Sequence, residues 1–188
     1  MIVGVLLCGG EASRFGGDKL LAGADPIAAR AARALMAATP RSIAVIHLGK
    51  PGLRAALAHT GLEILETDRT ARGMGSSLAA GVEAGAGASG WLVALGDMPS
   101  IQPETCRAVA RALEGGARIA APFDRSGRRG HPVGFAAALR AELLALDGDF
   151  GARDVLARHR DAIVPIVTDD PGIFVDIDTR ADLERLGE

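Results

Sequence analysis

Between Gly9 and Lys19 the chain sets four glycines, Gly9, Gly10, Gly16 and Gly17, around two cations, Arg14 and Lys19. Glycines let backbone N–H groups come close to an anion, and successive N–H groups form an anion-binding concavity. Arg14 offers a planar fork to a phosphate, and Lys19 a point charge. The chain has 21 basic residues, and only Lys19 and Lys50 among them are lysines. A lysine in this loop is therefore an unusual choice if any cation would serve. The spacing is neither that of a P-loop nor G-x-G-x-x-G. The plain alternative is a flexible surface loop with two solvated charges.

Further along, Gly73-Met74-Gly75-Ser76-Ser77 leads into an Ala-rich helical stretch. Unpaired N–H groups and hydroxyls at a positive helix end suit a ligand. The same residues also suit an N-cap by Ser76 or Ser77, and both roles can hold together. Asp97 follows the apolar run Trp91–Leu95, so its carboxylate is expected at the carboxyl end of a central strand, facing a crevice. A hard divalent cation takes one or two such carboxylates plus phosphates and water. A turn or cap aspartate before Pro99 is the structural alternative. A second acidic tip, Val175-Asp176-Ile177-Asp178-Thr179, puts Asp176 and Asp178 on one face if extended. There Asp178 or Thr179 could instead cap the next helix. His131 stands in Gly130-His131-Pro132, after two arginines, where a structural role is the commoner one.

The elements that must position these residues are legible as alternating runs. Strands are expected at Ile2–Leu7, Ile43–Leu48, Leu62–Leu65, Trp91–Leu95, Arg118–Ala121, Ile163–Val167 and Phe174–Ile177. Helical spacing occupies Pro26–Ala38, Leu53–His59, Ser77–Gly85, Pro103–Leu113, Ala136–Leu146, Ala152–Arg158 and Thr179–Leu186. Gly130 to Phe135 breaks the rhythm as an extra strand or a hairpin arm. Strand–helix alternation with continuous apolar runs predicts an α/β fold with a mostly parallel central sheet covered on both faces. Ligands of such sheets bind outside the carboxyl ends of the strands, where the first two glycine clusters fall.

With 188 residues, one domain over 1–188 is expected, burying about 70% of its unfolded surface. The net charge of -2 provides no basic field for nucleic acid. No run reaches the ~18 apolar residues of a membrane span. Cys8 and Cys106 cannot make a disulfide framework or a structural zinc site, and nothing points to export, so the expected location is cytoplasmic. Cys8 is expected to be a small buried filler.

The run Leu7-Cys8-Gly9-Gly10-Glu11-Ala12-Ser13-Arg14-Phe15-Gly16-Gly17-Asp18-Lys19 resembles the signature L-A-[AG]-G-x-S-x-R-[MF]-G-x-[DS]-K of the molybdenum cofactor nucleotidyltransferase family. Cys8 stands where that family usually has Ala, and Ala12 where it has Ser. The resemblance extends through Gly73–Gly81, the Gly-Asp-Met-Pro run at 96–99, Gly130-His131-Pro132-Val133, Gly148-Asp149-Phe150-Gly151-Ala152-Arg153 and the Asp-Ile-Asp-Thr run at 176–179. These motifs occur in order from Leu7 to Leu183, almost the whole chain. The later ones are similar to the cytidylyltransferase branch.

The resemblance implies a three-layer, Rossmann-like, GT-A-like nucleotidyltransferase fold. It implies nucleotide contacts at Leu7, Cys8, Gly9, Gly10, Arg14, Lys19, Gly75 and Ser77, with Arg14, Lys19 and Asp97 as the catalytic set. It implies Mg²⁺ on Asp97 and Asp178, with Asp176 supporting, and acceptor contacts at His131 and Arg153. The implied reaction moves CMP from CTP to the phosphate of a molybdopterin, releasing pyrophosphate, with a molybdenum hydroxylase as a possible downstream partner. Leu7-Cys8-Gly9-Gly10 and Asp18-Lys19 lean instead to the guanylyl branch and GTP. Another phosphate acceptor, or a cofactor-insertion chaperone that binds nucleotide without turnover, are the competing readings. A dinucleotide oxidoreductase is disfavoured by the missing G-x-G-x-x-G.

Overall fold

The structure is a computed structural model that describes residues 1–9, 15 and 18–186. All seven residues of β1 (Ile2–Cys8) are buried, because both faces of the strand are covered. Val3, Val5 and Leu7 pack on one face, and Ile2, Leu6 and Cys8 on the other. β2 (Arg41–His47) and β3 (Glu63–Thr67) follow in parallel on one side of β1, and β4 (Gly90–Leu95) lies parallel on its other side. β5 (Ile119–Phe123), β6 (Val133–Ala136) and β7 (Ile163–Val167) complete the order β3-β2-β1-β4-β6-β5-β7. β6 runs antiparallel to β4 and β5, and every other pairing is parallel. The sheet is thus mostly parallel, as the sequence predicts.

Helices α1 (Ile27–Met36), α2 (Pro51–Ala58) and α4 (Pro103–Glu114) share a core with the Leu6 face. Helices α3 (Met74–Ala84), α5 (Arg140–Leu144) and α6 (Arg153–Arg158) share one with the Val5 face. The short α7 (Arg180–Arg185) comes after the second acidic tip. Trp91 and Phe135, facing each other across β4 and β6, are essentially inaccessible. Each such side chain contributes roughly 1.5–3 kcal/mol by burial, so the centre of the sheet is a rigid base for the loop after β4. No helix among the described residues is long and apolar enough to cross a membrane.

Three expectations need correction. Phe174–Ile177 is not a strand: a 3-10 turn covers Pro171–Phe174, and the rest runs across the strand ends with Ile177 N donating to Asp97 O at 2.9 Å. The run is apolar because Ile173 and Ile177 are buried by packing, without a ladder of strand bonds. Ala136–Leu146 is not one helix. Ala136 N donates to Arg118 O and Ala137 N to Ser89 O, which tie its start to the sheet, and a 3-10 turn separates it from α5. Neither Ser76 nor Ser77 caps α3, which starts earlier, at Met74. The break at Gly130–Phe135 does contain a strand, β6.

Candidate active site

β4 ends at Leu95, and Gly96 N prolongs the contact with β1 by donating to Leu7 O at 2.9 Å. The next residue, Asp97, stands at the carboxyl end of the central strand, where the sequence places it. The chain order reverses between β1 and β4, so this is the switch point at which open α/β sheets hold ligands.

Lys19, Asp97 and Asp178 converge there. Lys19 Nζ lies 2.8 Å from Asp97 Oδ2 and 3.0 Å from Asp178 Oδ1. Lys19 is only 9% exposed. Burial pulls its pKa down, but hydrogen bonding and charge from Asp97, then from Asp178, outweigh this and hold it above the ordinary lysine value. Thr179 and Asp182 form a reciprocal capping box at the start of α7. The cap is therefore Thr179, and the Asp178 carboxylate reaches Lys19 instead.

A buried residue fixes this geometry. Asp170 accepts hydrogen bonds from Gln102 N (2.9 Å), Thr105 Oγ1 (2.7 Å) and Gly172 N (2.9 Å). It joins the segment leading to Asp178 with the start of α4, which comes after Asp97. Nothing in the sequence singles it out, since its partners lie 65 and 68 positions away as well as two residues on.

A cleft of about 490 Å³ opens beside Asp97. Leu7, Cys8 and Gly9 form its floor, and Ser77 and Gly73 line the α3 side. Gly9 has no room for a side chain: a Cβ there would stand 2.9 Å from Thr70 carbons and 3.0 Å from Ser77 Oγ. Gly73 has φ 116°, and a Cβ would collide with Asp149 Oδ1. Ser77 Oγ donates to Gly73 O at 2.9 Å. Gly75 is not among the cleft residues, and its N–H donates to Gly148 O at 2.7 Å. The loop after α5 is clasped on the start of α3 in the same way, with Ser76 Oγ donating to Asp147. Ser76, then Arg72, holds the Asp147 carboxyl at about 2. This brings Asp149 into the cleft.

Cys8 is buried, its Sγ close to Gly96. Burial, then the charges of Asp97 and Asp18, push its thiol far up, as befits a filler rather than a nucleophile. His131 is held below the ordinary histidine value by burial and by Arg129, against the charges of Asp97 and Asp176. Its Nδ1 is buried with no hydrogen-bond partner among the described residues. Arg153, at the start of α6, is exposed and outside the cleft lining. Gly10 and Arg14 lie outside the described residues.

Of the cleft residues, His47, Lys50, Thr70 and Ala71 belong to none of the runs that the sequence marks as sites, and Asp149 enters only through the Gly148–Arg153 run. Lys50 Nζ lies 3.5 Å from Asp18 Oδ2, so both lysines of the chain sit at this site. That scarcity is the signal that would have found Lys50.

The donor set fits a hard divalent cation. Two carboxylates already converge on one cationic atom, and among the described residues no group of three or more His, Cys, Asp or Glu stands ready to enclose a metal alone. Two carboxylates completed by phosphate oxygens and water is the Mg²⁺ pattern.

A Rossmann-like α/β sheet with a buried lysine and two convergent carboxylates at its switch point fits a nucleotidyltransferase. The chain belongs to the family of MobA-like NTP transferase domains, whose match spans residues 4–163. Among solved structures, it is similar to Rv0371c from Mycobacterium tuberculosis H37Rv, at 27% identity and TM-score 0.84, covering 98% of this chain and 96% of that one. A structure of Rv0371c in complex with manganese matches at 25% identity and TM-score 0.78, covering 98% and 97%. A nucleotidyl transferase from Methanothermobacter thermautotroptrophicus shares the fold at 23% identity and TM-score 0.84, covering 99% and 95%. No curated protein matches the chain.

Proposed function

We propose that this nucleotidyltransferase moves CMP from CTP to the phosphate of a molybdopterin-type acceptor, with release of pyrophosphate, using Mg²⁺ in the cytoplasm. The observation that carries the reading is the meeting of Lys19 and Asp178 with Asp97, which lines the cleft. Asp97 and Asp178 would hold the metal, which when bound supplies positive charge to the phosphates. The manganese bound by Rv0371c supports use of a divalent ion.

In the proposed reaction an acceptor phosphate oxygen attacks the α-phosphorus in line. The bond from the α-phosphorus to the bridging oxygen breaks, and pyrophosphate leaves with that electron pair. The acceptor is already ionised, so no strong general base is needed. The chain's contribution is positioning and charge stabilisation. Lys19 is the residue that changes partner: it leaves the carboxylates to neutralise the departing pyrophosphate, together with Arg14. Leu7, Cys8 and Gly9 form the floor under the nucleotide, and Ser77 lines the cleft wall; Gly10 is proposed as a further nucleotide contact. Gly75 serves this site through the α3 start rather than by its N–H. His131 and Arg153 are proposed to face the acceptor, and the molybdenum hydroxylase as recipient of the product belongs to the same reading.

The guanylyl reading rests on Asp18-Lys19 and on Gly9 standing where the cytidylyl branch has Ala. In this structure Gly9 is also required by the contact with Thr70 and Ser77, so it does not itself argue for guanine. The test is pyrophosphate release from CTP, GTP, ATP and UTP, each with and without molybdopterin. Acceptor-dependent release that is fastest with CTP supports the proposal. Fastest release with GTP replaces the nucleotide, and nucleotide binding without release replaces transfer by a chaperone role.

A further inference from the structure

His47 is the last residue of β2 and lines the cleft. Asp97 comes just after β4, and only β1 lies between those strands. At ~4.8 Å per strand, His47 stands about 10 Å across the sheet from Asp97. A nucleotide with its phosphates at Lys19 and Asp97 can therefore carry its base toward His47.

The tautomer of the neutral ring is fixed by its neighbour. Thr70 Oγ1 lies 3.0 Å from Thr67 O and 2.8 Å from His47 Nδ1. A hydroxyl has one proton, and a carbonyl oxygen can only accept. Both contacts are satisfied only if Thr70 donates to Thr67 O and accepts from His47 Nδ1–H. The neutral ring that carries its proton on Nδ1 has a lone pair on Nε2, which has no partner among the described residues. Thr70 itself is buried and packs against Gly9 under the cleft, so this arrangement is held by the fold.

We infer that His47 is a specificity-determining residue that reads the base as an acceptor: Nε2 takes a hydrogen bond from an exocyclic amine. Cytosine presents an amine at the position where uracil presents a carbonyl oxygen. An amine fits the Nε2 lone pair, and a carbonyl faces it with another lone pair. His47, oriented by Thr70, thus selects CTP over UTP. This rests on the cleft being a nucleotide site, as proposed above.

The experiment is calorimetric binding of CTP and UTP with Mg²⁺ at pH 8, to the full chain, to His47→Leu and to Thr70→Val, each checked by thermal melting. The wild type is expected to bind CTP about tenfold or more tighter than UTP. In His47→Leu the ratio collapses toward one, mainly through loss of CTP affinity. In Thr70→Val it falls part of the way, because the ring can then move its proton to Nε2. Equal binding of CTP and UTP by the wild type, or a ratio that survives in His47→Leu, overturns the inference while leaving the nucleotide reading intact. Should His47→Leu not fold, an unchanged ratio in Thr70→Val overturns it. Binding of neither nucleotide by the wild type overturns the nucleotide reading itself.

Discussion

Lys19 Nζ and Asp97 Oδ2 lie 2.8 Å apart although 78 positions separate the residues. The same ammonium also reaches Asp178, so a cation of the chain's own occupies the point on which both carboxylates converge. Lys19, proposed to bind phosphate, and the carboxylates proposed to bind metal are therefore one electrostatic unit.

On the proposed metal site, a metal ion would compete with Lys19 for the same oxygens. Replacing Lys19 by Met removes the competing charge. Lys19→Met is expected to bind Mn²⁺ more tightly than the wild type when no nucleotide is present, and to bind CTP at least about tenfold more weakly. Calorimetric titrations of each ligand check this. Weaker Mn²⁺ binding by Lys19→Met would mean that the lysine supports the metal site rather than occupying it.

Asp170 organises the pair from behind. Truncating it leaves two N–H groups and a hydroxyl in a buried place without their acceptor. Asp170→Ala is expected to cost about 2–4 kcal/mol of folding stability. It should also weaken Mn²⁺ binding measured with CTP, because the segment leading to Asp178 then keeps only the Ile177 N to Asp97 O bond as its tie to the Asp97 loop. Urea unfolding and metal titration test the two effects separately.

The depressed His131 predicts a pH effect of definite sign. Its folded value lies below the ordinary 6.5, mainly through burial. The unfolded chain takes up that proton first, so it binds more protons than the native state below pH 6.5. This contribution to stability is complete above that value and is lost as pH falls beneath it. Urea unfolding between pH 7.5 and 5.5 should show the decline, and His131→Gln should reduce it. An equal decline in the variant would assign the effect elsewhere.

Neither thiol is available as a thiolate. Burial carries Cys8 far up, and it carries Cys106 up to about 12, aided by Asp170. In the native protein at pH 8, a disulfide reagent such as Ellman's is expected to find no fast-reacting cysteine, and in guanidinium it should find both. Rapid native modification would mean that the floor of the cleft opens.

Much of the fold was legible in the residues, for reasons that are physical. β1, β2, β4 and the start of β5 were readable because strands covered on both faces need unbroken apolar runs. Asp97 was readable because such a run ends just before it. Phe174–Ile177 misled because a short apolar run does not reveal whether it pairs in a ladder or merely packs. Ser76 and Ser77 misled because Gly73, with its positive φ, lets α3 begin before them. Asp170, and the pairing of His47 with Thr70, depend on segments that only the fold brings together, and no local pattern announces them.

The most direct test of the reacting centre is pyrophosphate release from CTP with Mg²⁺ and molybdopterin, by the wild type and by Asp97→Ala. Asp97 sits just past the rigid end of β4 and is itself only part-buried, so the variant should melt near the wild-type temperature. Its turnover is expected to fall by about two to three orders of magnitude, the scale seen when a group stabilising transition-state charge is removed. Near-normal turnover in a folded Asp97→Ala protein would contradict the claim that Lys19, Asp97 and Asp178 form the reacting centre.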